Sequence, residues 1–509
     1  MNALTPQADF SSPRAAGDFD VLIVGAGISG IGMAVHLTEK CPGKSYAILE
    51  RRDDLGGTWD LFRYPGIRSD SDMHTLGFEF EPWTHEKSIA DGPAILEYLN
   101  RIVDERGVRP NIRFGQKVLA AEWDSATARW TLRTEGSDGA AGTVTGRFLY
   151  LGSGYYDYDD PYDAGFPGRD EYRGALIHPQ FWPKDFDHAG KTIVVVGSGA
   201  TAVTIVPAIA QDAAHVTMLQ RTPTWYAIRP ARDAFANRLR KILPERWAYA
   251  ITRFKNIFLQ NMVFKKARNE PQKVADFLSS KVQEALGPRY DPQAFTPPYN
   301  PWEQRLCLVP DGDFFEAINQ GKASVVTDHI ERFDANGIVL KSGKRLEADA
   351  IVTATGLKLA VAGKIAVSVD GERVDFAKRF YYRNCMFSNV PNFAAIFGYL
   401  NASWTLRVDI VANYLTRLLN HMDAIGADIA TPVLTETLEE DNIFDFSSGY
   451  IQRALDIMPR NAPTLPWRLN QDYLQDRKQM RTAPVDDGIL RFAKAKAHAP
   501  SRSELETAE

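Results

Sequence analysis

Two glycine-rich loops, each placed between a predicted strand and a predicted helix, constrain the fold of this chain more than any other feature. The first loop, Gly25–Gly30 (GAGISG), follows the apolar run DVLIV and precedes a helix predicted over Ile28–Lys40. The second loop, Gly197–Ala202 (GSGATA), follows the run TIVVV. A further strand comes after each helix, SYAILE in the first unit and HVTMLQR in the second, so each loop lies in a βαβ unit. The sequence therefore predicts an α/β fold with two Rossmann-like dinucleotide-binding domains.

The first loop has the spacing of a dinucleotide-binding turn. Gly25 permits the tight turn, Gly27 lets the backbone approach a pyrophosphate, and Gly30 lets the helix pack closely on the strand. Glu50 ends the second strand, where a carboxylate accepts hydrogen bonds from ribose hydroxyls. We therefore assign the adenosine of FAD to this loop, with a glycine-rich turn that binds nothing as the alternative.

The second loop differs at the position that selects the cofactor. The strand after its helix ends in Gln220, Arg221 and Thr222, with no acidic residue. An arginine pairs with a 2′-phosphate that a carboxylate would repel, so we assign NADPH to this loop. A surface salt bridge is the alternative role for Arg221. The residues predicted to bind this cofactor are Gly197, Ser198, Gly199, Thr201, Ala202, Arg221 and Thr222.

Length, charge and cysteine content set further limits. A chain of 509 residues is too long for one hydrophobic core and predicts two or three domains. A net charge of −5 argues against general nucleic-acid binding. The three cysteines, Cys41, Cys307 and Cys385, form no CxxC, so we expect neither a metal site nor a redox-active dithiol. The N-terminus lacks a signal-peptide core, which predicts a cytoplasmic protein.

Residues 227–301 differ from the chain around them, because they carry little strand pattern and many aromatic and basic residues. From Arg238 to Arg268 there are nine Lys or Arg and one Glu, interleaved with apolar residues. We predict a helical subdomain inserted in the NADP-binding domain. A basic amphipathic helix of this kind can lie on an anionic membrane surface, although such a charge run is more often a solvated face over a core stripe.

Two further stretches carry a family resemblance. GTWDLFRYPGIRSD, from Gly57 to Asp70, matches the pattern GxWxxxx(F/Y)P(G/M)xxxD at every specified position. YRGALIHPQFWP, from Tyr172 to Pro183, matches FxGxxxHxxx(W/F)(P/D) with Tyr172 in place of Phe. Both patterns are fingerprints of flavin-dependent Baeyer–Villiger monooxygenases, which this chain resembles. The blocks PWEQRLCLVP, GYLNASWTLR and PWRLNQ are similar to the ethionamide-activating branch of that family.

The resemblance implies a reaction. NADPH reduces FAD, the reduced flavin and O2 give a C4a-peroxyflavin, and its attack on a ketone carbonyl inserts one oxygen atom to give an ester or a lactone. Arg305 matches the family's arginine beside the peroxide and the developing oxyanion, and Asp70 matches the carboxylate that orients it. Gln304 stands where other branches have Lys, which leaves Arg221 as the main support for NADPH.

The resemblance also implies roles for residues around the two cofactors. His178 would be a hinge residue beside the NADP site, with a satisfied loop histidine as the alternative. Trp59 and Tyr64 would pack around the flavin or the nicotinamide, and the alternative is that they are core aromatics. Asn401 and Trp404 would line the substrate pocket. Outside the second glycine loop, the residues predicted to bind the two cofactors are Gly25, Gly27, Gly30, Glu50, Gly57, Thr58, Trp59, Tyr64, Asp70 and His178.

We expect an FAD-binding domain over residues 1–158 and 353–509, an NADP-binding domain over 159–226 and 302–352, and the helical subdomain over 227–301. Ketone oxygenation is the leading functional hypothesis. Oxygenation of sulfur or nitrogen, in sulfides or thioamides, by a C4a-hydroperoxyflavin is the second. Two other functions fit the sequence less well. A flavin disulfide reductase would need a redox-active dithiol, which this chain lacks. A non-catalytic NADPH sensor would not need Arg305 and Asp70. The expected partners are a small-molecule ketone and O2.

Overall fold

The computed structural model describes residues 17–304 and 306–495. In this part of the chain the strands are β1 (Asp18–Val24), β2 (Tyr46–Leu49), β3 (Ile112–Arg113), β4 (Gln116–Asp124), β5 (Arg129–Gly136), β6 (Ala141–Leu151), β7 (Ala175–Ile177), β8 (Thr192–Val196), β9 (His215–Gln220), β10 (Tyr226–Arg229), β11 (Cys307–Pro310), β12 (Ala323–Thr327), β13 (Ile330–Asp334), β14 (Gly337–Leu340), β15 (Arg345–Glu347), β16 (Ala350–Thr353), β17 (Ala366–Val369), β18 (Glu372–Arg373), β19 (Tyr381–Tyr382), β20 (Met386–Phe387), β21 (Phe393–Ala395), β22 (Ile429–Pro432) and β23 (Leu490–Ala493). The α-helices are α1 (Ile28–Lys40), α2 (Thr58–Leu61), α3 (Met73–Leu76), α4 (Gly92–Glu105), α5 (Ala200–Ile209), α6 (Ala234–Leu239), α7 (Glu245–Asn269), α8 (Pro271–Leu286), α9 (Pro292–Phe295), α10 (Asp313–Asn319), α11 (Trp404–Ile425), α12 (Gly449–Gln452) and α13 (Tyr473–Thr482).

The first βαβ unit lies inside the larger sheet, whose strand order is β18-β17-β4-β5-β6-β1-β2-β3, with β21 on β6. β1 is parallel to both β2 and β6, with Val21 opposite Tyr46 and Phe148. Its residues from Val21 to Ile23 are fully buried, as expected of a central parallel strand that is covered on both faces. On one of these faces α1 packs against α11.

The second βαβ unit lies in a smaller parallel sheet, with strand order β12-β9-β8-β16-β7. The stretch from Tyr172 to Pro183 contributes the edge strand β7, which pairs with β16 through Leu176 and Ile351. A Cβ atom on Gly174 would lie 2.6 Å from the carbonyl oxygen of Asp349, so this entry to the strand has room only for glycine. The stretch therefore joins the chain to the second sheet.

Helices α6 to α9 follow one another between β10 and β11, with a single 3-10 turn between α8 and α9. The two strands pair with each other in parallel, Ala227 opposite Leu308, so the insertion begins and ends at one place. Its longest member, α7, contacts α3, α6 and α8.

The predicted fold class is confirmed, because each glycine loop joins a buried parallel strand to a helix and a helical insertion separates β10 from β11. The helix predicted over Ile28–Lys40 has those bounds. Strands of the larger sheet fall within 18–151 and 366–395, and those of the smaller sheet within 175–353; the domain boundaries themselves stay a prediction. Among the described residues, none of the helices combines the length and the apolar character needed to cross a bilayer.

Candidate functional site

A cavity of about 320 Å³ lies where β1, β2 and β6 end, at the carboxyl edge of the larger sheet. Ligands of open α/β sheets bind at this edge. The sequence-predicted residues in its wall are Gly25, Gly27, Glu50, Gly57, Thr58, Trp59, Asp70 and Trp404. The lining thus runs from the predicted adenosine end at Glu50 to the aromatic residues at Trp59 and Trp404.

The first glycine loop has the close backbone packing that its spacing predicts. Gly25 has φ +97°, and a Cβ atom there would lie 2.8 Å from the carbonyl oxygen of Gly152. A Cβ atom on Gly30 would lie 1.9 Å from the carbonyl oxygen of Gly25, so Gly30 fixes the approach of α1 to β1. Helix α1 begins without a side-chain cap and without an acidic residue in its first turn. Its first N–H groups are therefore suited to a pyrophosphate at the cavity wall.

Glu50 is held rigidly at the end of β2. Its two carboxylate oxygens accept hydrogen bonds from the backbone N–H of Ala26 (2.7 Å) and of Arg52 (2.9 Å). Burial raises the pKa of Glu50, and these two hydrogen bonds oppose that rise. The carboxylate is thus fixed in the cavity wall beside the glycine loop, as a ribose acceptor must be.

The fingerprint loop, residues Gly57–Asp70, contacts both glycine loops. At one end, a Cβ atom on Gly57 would lie 3.1 Å from Cα of Gly27. In the middle, Gly66 has φ +77°, and a Cβ atom there would lie 2.7 Å from Cβ of Ala208 on α5. Tyr64 is buried, and its hydroxyl lies beside Thr201 in the second loop. Tyr64 is therefore placed at the second loop, outside the lining of the cavity.

Asp70 ends the fingerprint loop and is exposed in the cavity wall. Burial, and to a lesser degree the Asp70 carboxylate, raises the pKa of Tyr64. Burial also raises the pKa of the Cys307 thiol to about 12, and the Asp70 charge contributes there too. The Sγ atom of Cys307 lies 3.6 Å from the carbonyl oxygen of Ser198. Asp70 is thus close to the cavity and to the second loop at once. Arg305, its predicted partner, lies outside the described residues.

The second glycine loop has the same geometry as the first. Gly197 has φ +135°, and a Cβ atom there would lie 2.3 Å from the carbonyl oxygen of Ala354. The hydroxyl of Ser198 donates to the carbonyl oxygen of Thr222 at 2.9 Å, which ties the loop to the end of β9. Helix α5 begins after Gly199 with no side-chain cap and no acidic residue in its first turn, and Ala202 within that turn is buried. The loop therefore presents N–H groups to an anion.

Arg221 directly follows β9 and is exposed. It forms no ion pair with any residue of the described ranges 17–304 and 306–495. The salt bridge considered for it thus has no partner here, and its guanidinium is available to an anionic ligand.

His178 is half-buried and lies between β7 and the turn that follows it. Its Nδ1 accepts a hydrogen bond from the N–H of Gln180 at 3.2 Å. Burial lowers the pKa of His178, while the backbone of Gly356 opposes that shift. His178 thus stabilises the turn after β7 in this structure, and its hinge role stays a prediction.

The two residues predicted to line the substrate pocket are placed differently. Trp404 lines the cavity: its Nε1 donates to Oγ of Ser29 at 2.8 Å, and its ring stacks on Tyr155 at 5.0 Å. Asn401 lies outside the cavity lining, and its Nδ2 donates to the carbonyl oxygen of Gln471 at 2.8 Å. Trp404 thus lies next to the first glycine loop, whereas Asn401 contacts Gln471.

Sequence reasoning missed a second part of the cavity wall. These residues are Gly152–Asp159, Arg51, Gln116–Val118, Ala360 and Gly363–Ile365. The run FLYLGSG carried a usable signal for the first of these segments. Its glycines follow β6, which is parallel to β1, so they lie at the same edge as the glycine loop.

A protein-family model described as pyridine nucleotide-disulphide oxidoreductase matches residues 22–274, which include both glycine loops. Cys41, Cys307 and Cys385 are all free and buried, so the match concerns the nucleotide-binding fold and not a redox dithiol. The FAD-containing monooxygenase EthA of Mycobacterium tuberculosis is 50% identical over 481 residues, covering 94% of this chain and 98% of that protein. The probable FAD-binding monooxygenase AlmA of Acinetobacter baylyi is 47% identical over 478 residues, covering 93% and 96%.

Solved structures with the same fold are more distant in sequence. An oxidized steroid monooxygenase bound to NADP has a TM-score of 0.75 at 22% identity, covering 94% of this chain and 100% of that one. An open crystal structure of cyclohexanone monooxygenase has a TM-score of 0.73 at 20% identity, also covering 94% and 100%. The agreement in fold extends over nearly the whole of each chain.

Proposed function

This chain belongs to the FAD-containing monooxygenases, and from that premise we propose that it uses NADPH and O2 to insert one oxygen atom next to a ketone carbonyl, giving an ester or a lactone. The observation that carries the proposal is the fingerprint loop, which contacts Gly27 at one end and α5 further along. A segment in contact with both glycine loops would help to hold a flavin and a nicotinamide at the distance that hydride transfer between them requires.

The cavity fits FAD by its donors and acceptors. Gly25, Gly27 and the start of α1 would hold the pyrophosphate, and Glu50 would accept from the ribose hydroxyls. Thr58, Trp59 and Trp404 would enclose the isoalloxazine end. Bound FAD supplies the redox chemistry, since it accepts a hydride and in its reduced form activates O2.

The second loop is proposed to bind NADPH. The uncapped start of α5 would receive the pyrophosphate, and Arg221 would pair with the 2′-phosphate. The steroid monooxygenase with this fold was solved with NADP bound. Its sequence is too distant to carry residues across, so the assignment depends on the loop geometry of this chain.

Asp70 and Arg305 are proposed as the catalytic pair. A cation next to the carbonyl carbon stabilises the negative charge that develops on oxygen as the carbonyl is attacked, and arginine keeps its charge at every relevant pH. From the cavity wall, the carboxylate of Asp70 would orient that guanidinium. The role of Arg305 follows from its place in the PWEQRLCLVP block alone.

Ketone oxygenation is also consistent with ligands bound to a protein of the same fold. Cyclohexanone monooxygenase has been solved with cyclohexanone and with ε-caprolactone bound. These molecules are a cyclic ketone and the lactone that insertion of one oxygen atom produces from it. Sulfur or nitrogen oxygenation remains the second candidate, because it uses the same cofactors and the same cavity.

The test is the conversion of a medium-chain 2-ketone by the purified flavoprotein with NADPH under isotopically labelled dioxygen. We expect an ester with one labelled oxygen atom in the mass spectrum, and none when NADPH is left out. A thioether offered in parallel separates the two candidates. Formation of a sulfoxide without any ester would contradict ketone oxygenation and support sulfur oxygenation. NADPH oxidation that yields only hydrogen peroxide with both substrates would contradict both candidate functions.

A further inference from the structure

Helix α7 presents an apolar face to solvent. Trp247, Ile251, Phe254, Phe258 and Met262 follow one another at helical spacing and form what we call the α7 stripe. Trp247 is 67% exposed, Phe254 63% and Phe258 52%. Single exposed apolar side chains are ordinary on a protein surface, but a contiguous row of large ones marks an interaction site.

The opposite face of α7 is anchored in the protein. Thr252 and Asn256 are buried, and Arg253 donates to the carbonyl oxygens of His74 (3.0 Å) and Gly77 (2.6 Å). The orientation of the helix is therefore fixed by these buried contacts. Tyr249 and Ile257 are also buried, so α7 carries apolar side chains on both sides, and those of the stripe face outward.

Cations stand at both ends of the stripe. Arg238, Lys241 and Arg246 precede it and Lys266 follows it, and all four are exposed. They form no ion pairs within the described ranges. From Arg246 to Asn269 the sequence contains no Asp or Glu. The apolar row thus has a positive margin, and the one acidic residue of the helix is Glu245 at its first position.

We propose that the α7 stripe docks on the surface of an anionic lipid bilayer. The aromatic side chains would enter the boundary between headgroups and acyl chains, while the four cations contact lipid phosphates. A second copy of this chain is a poorer occupant, since a two-fold axis at the stripe would bring cations of one copy close to cations of the other. The inference does not depend on which oxygenation the site performs.

The experiment is co-sedimentation of the purified holoprotein with vesicles of equimolar phosphatidylglycerol and phosphatidylcholine at low salt. The stripe variant combines Trp247→Ser, Phe254→Ser and Phe258→Ser, and the charge variant combines Lys241→Gln, Arg246→Gln and Lys266→Gln. The matched control combines Ile425→Ser and Ile457→Ser, two exposed apolar residues outside the helical insertion. FAD content and far-ultraviolet circular dichroism establish that each variant is folded.

We expect the wild type and the control to sediment with these vesicles, and the stripe and charge variants each to lose on the order of tenfold in partitioning. Vesicles of phosphatidylcholine alone should bind all four proteins weakly. Failure of the wild type to sediment would overturn the proposal, as would equal sedimentation of wild type and stripe variant. If the wild type fails to sediment and is a dimer that the stripe variant converts to a monomer, the stripe is an interface between copies instead.

Discussion

Asp70 is the residue at which the proposed site can be tested most directly, because it is exposed in the cavity wall and close to the second loop. For Asp70→Ala we expect the rate of ketone oxygenation to fall by about 10²-fold, since in the proposed pair Arg305 would lose the carboxylate that orients it towards the developing oxyanion. Product formation is measured by gas chromatography, and bound FAD by its absorbance.

The control for this substitution is Asp456→Ala, which removes an exposed carboxylate outside the cavity lining. It should leave the rate of oxygenation unchanged. Equal rates for Asp70→Ala and wild type at full FAD content would remove Asp70 from the catalytic pair.

Arg221 is the residue proposed to distinguish NADPH from NADH. We expect Arg221→Ala to raise the KM for NADPH about tenfold and to leave the KM for NADH unchanged, because only NADPH offers a 2′-phosphate to an exposed guanidinium. Steady-state oxidation of each cofactor, followed by absorbance, gives both values. Arg332→Ala, which removes another exposed arginine, is the control; a parallel rise in both KM values would argue against recognition of the phosphate by Arg221.

At the scale of elements, the fingerprint loop packs closely against α5 at one glycine, Gly66. A Cβ atom on Gly66 would lie 2.7 Å from Cβ of Ala208, and its φ is +77°. Gly66→Ala should therefore destabilise the protein by roughly 1–3 kcal/mol and weaken NADP+ binding, through both backbone strain and overpacking. Thermal unfolding and titration of NADP+ are the measurements.

Gly107 is a matched control, because alanine there would meet the same backbone strain as at Gly66 but would contact no other residue. Its φ is +64°, and a Cβ atom there would meet no atom within 4 Å. Gly107→Ala should lower stability through backbone strain alone and leave NADP+ affinity unchanged. If both variants weaken NADP+ binding equally, the contact of the loop with α5 has no role in that site.

The elements that the sequence predicted well are those whose pattern is local. Gly25–Gly30 and Gly197–Ala202 stand directly between a strand and a helix, so neighbouring residues suffice to recognise them. Trp404 was predicted to line the substrate pocket by resemblance alone, and its place beside the first glycine loop could not be predicted, because it depends on a hydrogen bond to Ser29, which is far away in the chain. Asn401 was assigned by analogy with a substrate-facing loop, and its contact with Gln471 is equally non-local.

At the scale of the whole molecule, a buried ion pair ties the helical insertion to the larger sheet's helices. Arg253 on α7 donates to Asp409 on α11 at 3.1 Å, and both side chains are buried. Asp409 also accepts from the N–H of Glu79 and lies 3.3 Å from Nε2 of His36. Periodicity alone would have placed Arg253 on a solvated basic face, so this tie was not predictable from the sequence.

Loss of one partner of this pair should be costly. We expect Arg253→Met to lower the free energy of unfolding by about 3 kcal/mol, because the Asp409 carboxylate stays buried without its counter-charge. Arg246→Met, at an exposed cation of the same helix, should have little effect. The double variant Arg253→Met with Asp409→Asn should recover part of the loss in denaturant unfolding. Additive losses would contradict a direct interaction between the two side chains.

The double contact of the fingerprint loop has a thermodynamic consequence. The fingerprint loop packs on Gly27 and on α5. A ligand at one glycine loop that orders this segment therefore alters the free energy with which the other glycine loop binds its own ligand. Such coupling is reciprocal, so whatever factor NADP+ adds to the affinity for FAD, FAD adds to the affinity for NADP+. The fraction of the protein that carries flavin at a given FAD concentration is then set in part by the nicotinamide concentration around it.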